Sequence, residues 1–402
     1  MTGVSALLLG ISVPVALACA PPPVSASDGA PGSCDRERPW PLWEAYTKRF
    51  VTADGRVIDF AADEHTTSEG EAYGAFFALV ANDRARFDAI VRWTSDNLAQ
   101  GDLAQRLPAW RWGKKQDEKK KKATWGVLDE NAASDADLWL AYALLEAGRL
   151  WEEPRFDALG RAILAQVVKA EVSELPGLGP TLLPGPVGFA LEGDDGATTW
   201  RLNPSYTPLP LLRRFASAGV PGPWDAVADS ARRVAAHVRE ADGPFPDWIG
   251  WRDGDGFVPD PVNGDVGSYD AIRVYLWAAL LPPGEPLRPL FLAATTPMIG
   301  IVRNLDAVPE RAHTHGSEHA DSPGPIGFSA AVAPAALATG DFELARRLLG
   351  RLAAARAGDG LYGSPAFYYE QNLILFATGH LEGRYRFATD GALEPEWRRP
   401  CP

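Results

Sequence analysis

The stretch Asn131-Ala-Ala-Ser-Asp-Ala-Asp137, followed by Leu138-Trp-Leu-Ala-Tyr-Ala-Leu-Leu-Glu-Ala-Gly148, sets the architecture expected of this chain. Ser134 reads as an N-cap, with Asp137 three residues on in the capping-box position. Behind it Leu138, Ala141, Tyr142, Leu145 and Gly148 share one helical stripe, so the helix is expected to be mostly buried. Asp135 stands at its mouth, where the positive end of the helix dipole favours the carboxylate. Taken alone, such an aspartate is a cap. The same design recurs along the chain.

Working outward, hydrophobic periodicity predicts helices over Pro39–Val51, Thr66–Val80, Asp83–Leu98, the Asn131 stretch, Pro154–Val172 and Ser205–Phe215. It continues with Pro223–Arg239, Ser268–Leu281, Pro286–Val302, Phe328–Thr339, Asp341–Arg356 and Ser364–Thr378. Polar-faced helices alternate with mostly apolar ones. A helix apolar nearly all round must lie inside others, and the polar-faced type can cover it. The simplest closed arrangement is all-α: six helical hairpins forming an (α/α)6 barrel, with an inner ring wrapped by an outer one. Each inner helix has a serine at or near its start: Ser68, Ser134, Ser205, Ser268, Ser329 and Ser364. Parallel inner helices would gather those starts at one end of the barrel, where long loops build a cleft. One such loop, Glu171–Asn203, carries a predicted small β-hairpin around Gly193-Asp-Asp-Gly. Gly254–Gly267 reads as an irregular loop, and Lys114–Lys122 as a solvated loop insertion.

The chain has 402 residues, 46% of them hydrophobic, enough for a large core. Its formal charge of −13 leaves no basic stripe for phosphates, which excludes a nucleic-acid partner. The 14 Trp and 10 Tyr serve the core and also offer flat surfaces for stacking on sugars or other ring-shaped ligands. The apolar run Val4–Ala20 is too short for a membrane span, and Val24-Ser25-Ala26 or Ala16-Leu17-Ala18 offers a cleavage site. Residues 1–26 are therefore read as a signal peptide that lacks the usual positive start, 27–38 as a linker, and 39–402 as a single catalytic domain. An exported protein, periplasmic or secreted and without a transmembrane anchor, is expected.

Three of the six inner-helix starts carry a carboxylate: Glu69, Asp135 and Asp270. Converging on one end, they suit hydrolysis of a glycosidic bond, which needs one carboxyl protonated to donate and one ionised to activate water. His313, His315 and His319 form a His-x-His-x3-His cluster, but their stretch is loop-like and lacks Cys; metal is not expected there. With no phosphate loop or nucleophile elbow either, no cofactor is expected.

Thr66-Thr-Ser-Glu-Gly-Glu-Ala-Tyr-Gly, Ala133-Ser-Asp-Ala-Asp and Gly267-Ser-Tyr-Asp-Ala-Ile-Arg together resemble glycoside hydrolase family 8. The resemblance runs from about Trp40 to Phe387 and includes Pro108-Ala-Trp-Arg-Trp-Gly, Asn203-Pro-Ser-Tyr and Tyr362-Gly-Ser-Pro-Ala-Phe-Tyr-Tyr. It implies an (α/α)6 barrel and an inverting endo-β-1,4-glucanase acting on β-1,4-glucan, with the bacterial cellulose synthase complex as a candidate partner. By motif, Glu69 is implied as general acid and Asp270 as general base, with Asp135 holding the sugar at the cleavage subsite. Arg273 would orient Asp270, Tyr206 would stand near the nucleophilic water, Trp112 would stack on glucosyl rings, and Tyr369 would line the cleft. Glu71 stands where relatives often have Gln, and the Lys-rich insertion lengthens the loop beside Trp112. The same chemistry on xylan, chitosan or mixed-linkage glucan is the nearest alternative, and a glucan-binding chaperone is one from another class.

With cleavage after Ala26, Cys34 and Cys401 are the thiols that remain. They flank the first and last helices, and a closed ring brings chain ends near each other. In an oxidising compartment a disulfide between them is expected.

Overall fold

The computed structural model describes residues 38–117, 122–315 and 322–399. Cys34 and Cys401, with the expected disulfide, lie outside the described residues, as do residues 1–37 and His319. Twelve α-helices occur among the described residues: α1 (Pro41–Phe50), α2 (Ser68–Val80), α3 (Arg84–Leu98), α4 (Ser134–Leu150), α5 (Pro154–Ala170), α6 (Leu209–Ser217), α7 (Trp224–Ala241), α8 (Ala271–Leu280), α9 (Arg288–Arg303), α10 (Ile326–Ala338), α11 (Phe342–Ala354) and α12 (Tyr368–Leu381). The fold is the expected (α/α)6 barrel. Each odd-numbered helix covers an even-numbered one: α3 on α2, α5 on α4, α7 on α6, α9 on α8, α11 on α10 and α1 on α12.

Apart from α6, the inner helices are buried almost all round, and in α4 only Arg149 escapes the interior. Within the ring α2 packs on α4, α4 on α6, α8 on α10 and α10 on α12. Aromatic side chains fill the axis. Phe376 of α12 lies 4.6 Å from Phe77 and 5.3 Å from Phe76 of α2, and 5.0 Å from both Trp139 of α4 and Trp277 of α8 between ring centroids. Edge-to-face and stacked contacts of this kind add to the burial of the rings themselves. Gly70 lets the ring close at the cleft end: a Cβ there would meet the Tyr368 hydroxyl of α12 at 2.2 Å.

The third inner helix, α6, departs from its expected span. Ser205 lies in a 3-10 turn, Pro204–Tyr206, and α6 starts only at Leu209. Pro208 favours an extended residue before it and cannot donate to a helix continuing from the turn. The helix is amphipathic rather than apolar, and its Arg213 and Arg214 reach Glu285 and Glu146. Similarly α8 begins three residues after Ser268, and α12 four after Ser364.

The serines are not the caps. The N-cap of α4 is Ala133, and the buried Ser134 hydroxyl has no hydrogen-bond partner. On α2 the cap is Thr67, whose Oγ1 accepts from the Gly70 amide at 3.2 Å. The predicted hairpin is present as Ala190–Glu192 and Thr198–Leu202, but Ile249–Arg252 and Gly256–Pro259 extend it to four strands. Within the stretch read as the irregular loop Gly254–Gly267, Gly256–Pro259 is therefore the edge strand of this sheet, and Val266–Gly267 pairs separately with Ala312–His313. The Lys-rich insertion is a correction too: Arg111–Asp117 pairs with Lys122–Asp129, and Thr66–Thr67 joins their edge, with Thr66 opposite Trp112. Strand alternation there is masked by the run of like charge.

Candidate active site

Glu69, Asp135 and Asp270 come together at the starts of α2, α4 and α8, joined by Arg273 from the first turn of α8. Arg273 donates from Nη1 to Asp135 Oδ2 at 2.7 Å and from Nη2 to Asp270 Oδ1 at 2.5 Å. Nη1 also reaches the Tyr73 hydroxyl at 3.1 Å. A planar guanidinium with several fixed donors can hold two carboxylates apart in this way, where an ammonium offers only a point charge.

The carboxyls differ in setting. Glu69 Oε2 is buried and has no hydrogen-bond partner. Burial, reinforced by the nearby Asp135 charge, pushes its pKa up to about 8, so at neutral pH it carries a proton. Burial also raises Asp135, to about 6, against the pull of Arg273. Desolvation thus outweighs the dipole that by itself favours the anion, although Asp135 Oδ1 still accepts from the Ala136 amide at 2.8 Å. The Asp270 side chain is the most open of the acidic pair on Arg273, 29% exposed against 1% for Asp135. A neutral carboxyl and an accessible carboxylate on separate helices can donate and accept protons at one bond.

Two tyrosines frame the group. Arg273 lies over the Tyr206 ring, 5.3 Å from its centroid. Burial and the three carboxyls hold the Tyr206 phenol well above its ordinary pKa, so it stays a neutral donor. The Tyr369 hydroxyl donates to the carbonyl of Tyr269, the residue before Asp270. Trp112 sits in a partly exposed aromatic cluster. Its ring stacks on Trp125 at 5.2 Å, meets Trp93 of the outer helix α3 edge-on at 5.3 Å, and has Arg56 4.4 Å from its centroid. Neighbouring Trp110 links the start of α2 to the segment before α4 through its backbone: its carbonyl accepts from the Ser68 amide, and its amide donates to the Asn131 carbonyl.

The model of glycosyl hydrolases family 8 matches residues 32–382. The chain belongs to glycosyl hydrolase family 8. It is 45% identical over 382 residues to an endoglucanase of Xanthomonas axonopodis pv. citri (strain 306), covering 94% of each chain. An endoglucanase of Escherichia coli (strain K12) is 42% identical over 363 residues, 90% of this chain and 92% of that one. The crystal structure of endo-1,4-D-glucanase from Vibrio fischeri ES114 matches with a TM-score of 0.81 at 36% identity, covering 90% of this chain and all of that one.

Within this family-8 chain, Glu71 is fully buried, and its Oε1 accepts the Val57 amide at 2.7 Å. Burial lifts its pKa well above the ordinary value, against the pull of the Val57 amide and of Arg56. Asp137, expected in the capping box, instead faces Glu171 at the end of α5. Both are fully buried, and no N–H or O–H donor reaches any of their four oxygens. Burial raises both, Asp137 further through the neighbouring Glu171 carboxyl and Glu171 to about 8.

Tyr73 appears in the sequence reading only within the Thr66–Gly74 motif, with no role assigned. Its position four residues after Glu69, on the same helical face, was the signal that it reaches the shared guanidinium. The sequence held no signal for Asp247, which meets α8 only through the tertiary fold. His313 lies opposite Val266 and 3.6 Å from Asp265, and His315 lies beside the Thr314 hydroxyl.

Proposed function

We propose that this family-8 hydrolase is an inverting endo-β-1,4-glucanase in which Glu69 is the acid, Asp270 the base and Asp135 the residue that holds the sugar at the cleavage subsite. Glu69 gives its proton to the glycosidic oxygen as the bond to the anomeric carbon breaks. Asp270 takes a proton from water as that water bonds to the same carbon from the opposite face. Arg273 orients Asp270 and Asp135, and Tyr206 donates beside the incoming water. The observation that carries this reading is the buried, unpartnered Glu69 Oε2 with a pKa near 8, set against a more open Asp270 paired with a cation. The named relatives, at 42–45% identity over nine-tenths of the chain, are endoglucanases.

We further read residues 1–26 as a signal peptide, 27–38 as a linker and 39–402 as the catalytic domain of a periplasmic or secreted protein working alongside bacterial cellulose synthesis. Among the described residues no helix is long and apolar enough to cross a membrane. The test is reducing-sugar release and loss of viscosity on carboxymethyl cellulose, compared with xylan, chitosan and mixed-linkage glucan. Fastest cleavage of the β-1,4-glucan, abolished by Glu69→Gln, is expected. Binding without cleavage would favour a glucan chaperone, and faster xylan or chitosan cleavage would reassign the substrate.

A further inference from the structure

Asp270 occupies the N-cap position of α8, yet its side chain makes no capping hydrogen bond. An aspartate there ordinarily folds back onto the amides of the first turn, which would turn its carboxylate away from a substrate. In this chain another residue takes that task. Asp247, in the segment between α7 and the strand Ile249–Arg252, accepts with a single oxygen, Oδ1, from the amides of Ser268 at 2.7 Å, Asp270 at 3.0 Å and Ala271 at 2.7 Å. An anionic acceptor on the unsatisfied amides of a helix start gains from both charge and dipole.

The segment that carries Asp247 is itself fixed to α8. The Phe245 amide donates to the Tyr275 hydroxyl at 2.9 Å, and the Asp247 amide to the Val266 carbonyl at 2.9 Å. Gly267 permits this approach, since a Cβ there would lie 2.0 Å from the Phe245 carbonyl oxygen. Loop and helix start therefore form one unit, and Asp270 Oδ1 is left free for Arg273.

We propose that Asp247 is a positioning residue for the reaction: it caps α8 in place of Asp270, fixing the backbone of Asp270 and leaving the Asp270 carboxylate free to face substrate and Arg273. This rests on the reading of Asp270 as the base. Amide acceptance needs an oxygen and not a charge, which separates Asp247 from a group that itself moves protons.

The experiment compares Asp247→Asn, Asp247→Ser, Asp247→Ala and Asp270→Asn, measuring kcat and KM on a soluble cello-oligosaccharide per folded molecule, well below each variant's own Tm. Asp247→Asn keeps the acceptor and is expected to retain at least about a third of wild-type kcat. Asp247→Ala is expected to lose about 10–100-fold in kcat with KM within about threefold, the scale of effect from misplacing a reacting group. Asp247→Ser, a shorter acceptor, should fall between them and is the variant read if the alanine does not fold. Wild-type kcat in folded Asp247→Ala or Asp247→Ser, or an equal loss in Asp247→Asn and Asp247→Ala, would overturn the proposal. Full activity in Asp270→Asn would instead remove the base assignment, an outcome distinct from either.

Discussion

Arg273 reaches from α8 across the barrel to Asp135 on α4, 2.7 Å from Nη1 to Oδ2, with only 5% and 1% of the two side chains exposed. Taking two charges out of water is costly, and removing one partner leaves the other buried and uncompensated. Arg273→Met is therefore expected to destabilise the fold by about 3–5 kcal/mol in denaturant unfolding. Adding Asp135→Asn to it should restore part of that loss. An Arg273→Met protein as stable as wild type would show that the pair carries no such strain.

Glu69 carries its proton up to a pH of about 8. If it is the acid, kcat/KM on carboxymethyl cellulose should fall on the alkaline side with a midpoint near that pH. A profile flat through pH 9 would assign the proton to another group.

The same raised value has a thermodynamic consequence. Between the ordinary carboxylate value of 4.5 and about 8, the folded chain keeps the Glu69 proton that the unfolded chain has lost. The unfolded state then binds fewer protons, so stability falls as pH rises through that window. Glu69→Gln removes the titration. It should melt above wild type at pH 8.5, by about 2–4 °C for each kcal/mol relieved, and alongside it at pH 4. A uniform offset at both pH values would contradict the linkage.

Trp112 is held between Trp125, Trp93 and Arg56, so removing its ring opens a packed cluster against α3. Trp112→Ala is expected to lower Tm by several degrees, in line with the about 3–5 kcal/mol typical of large aromatic deletions, with KM on long glucans changed less than threefold. A tenfold rise in KM at unchanged Tm would instead show that Trp112 acts mainly as a stacking surface for glucosyl rings.

The barrel was legible because five of its six inner helices, all but α6, are apolar nearly all round, a pattern that admits few solutions. The three carboxylates were legible because each stands at the start of such a helix. Their electrostatics were only half legible. The dipole at Asp135 follows from local sequence, but the larger desolvation follows from what the other five hairpins pack around it. The caps were misread for a similar reason. Ser134 is a good local cap, but its hydroxyl is buried beside Asp135, and the cap of α8 comes from Asp247, 23 residues upstream of Asp270. Strand pairing behind the Lys-rich run was hidden because a charged, solvated strand leaves no hydrophobic alternation to read.

The most direct measurement is the anomer first released, followed by proton NMR during early cleavage of a soluble β-1,4-glucan. A single displacement, with Glu69 as acid and Asp270 as base, puts the α-anomer first, and the β-anomer appears only as the sugar mutarotates. Early β-anomer would mean a covalent glycosyl intermediate and would contradict the assignment of Asp270 as the base.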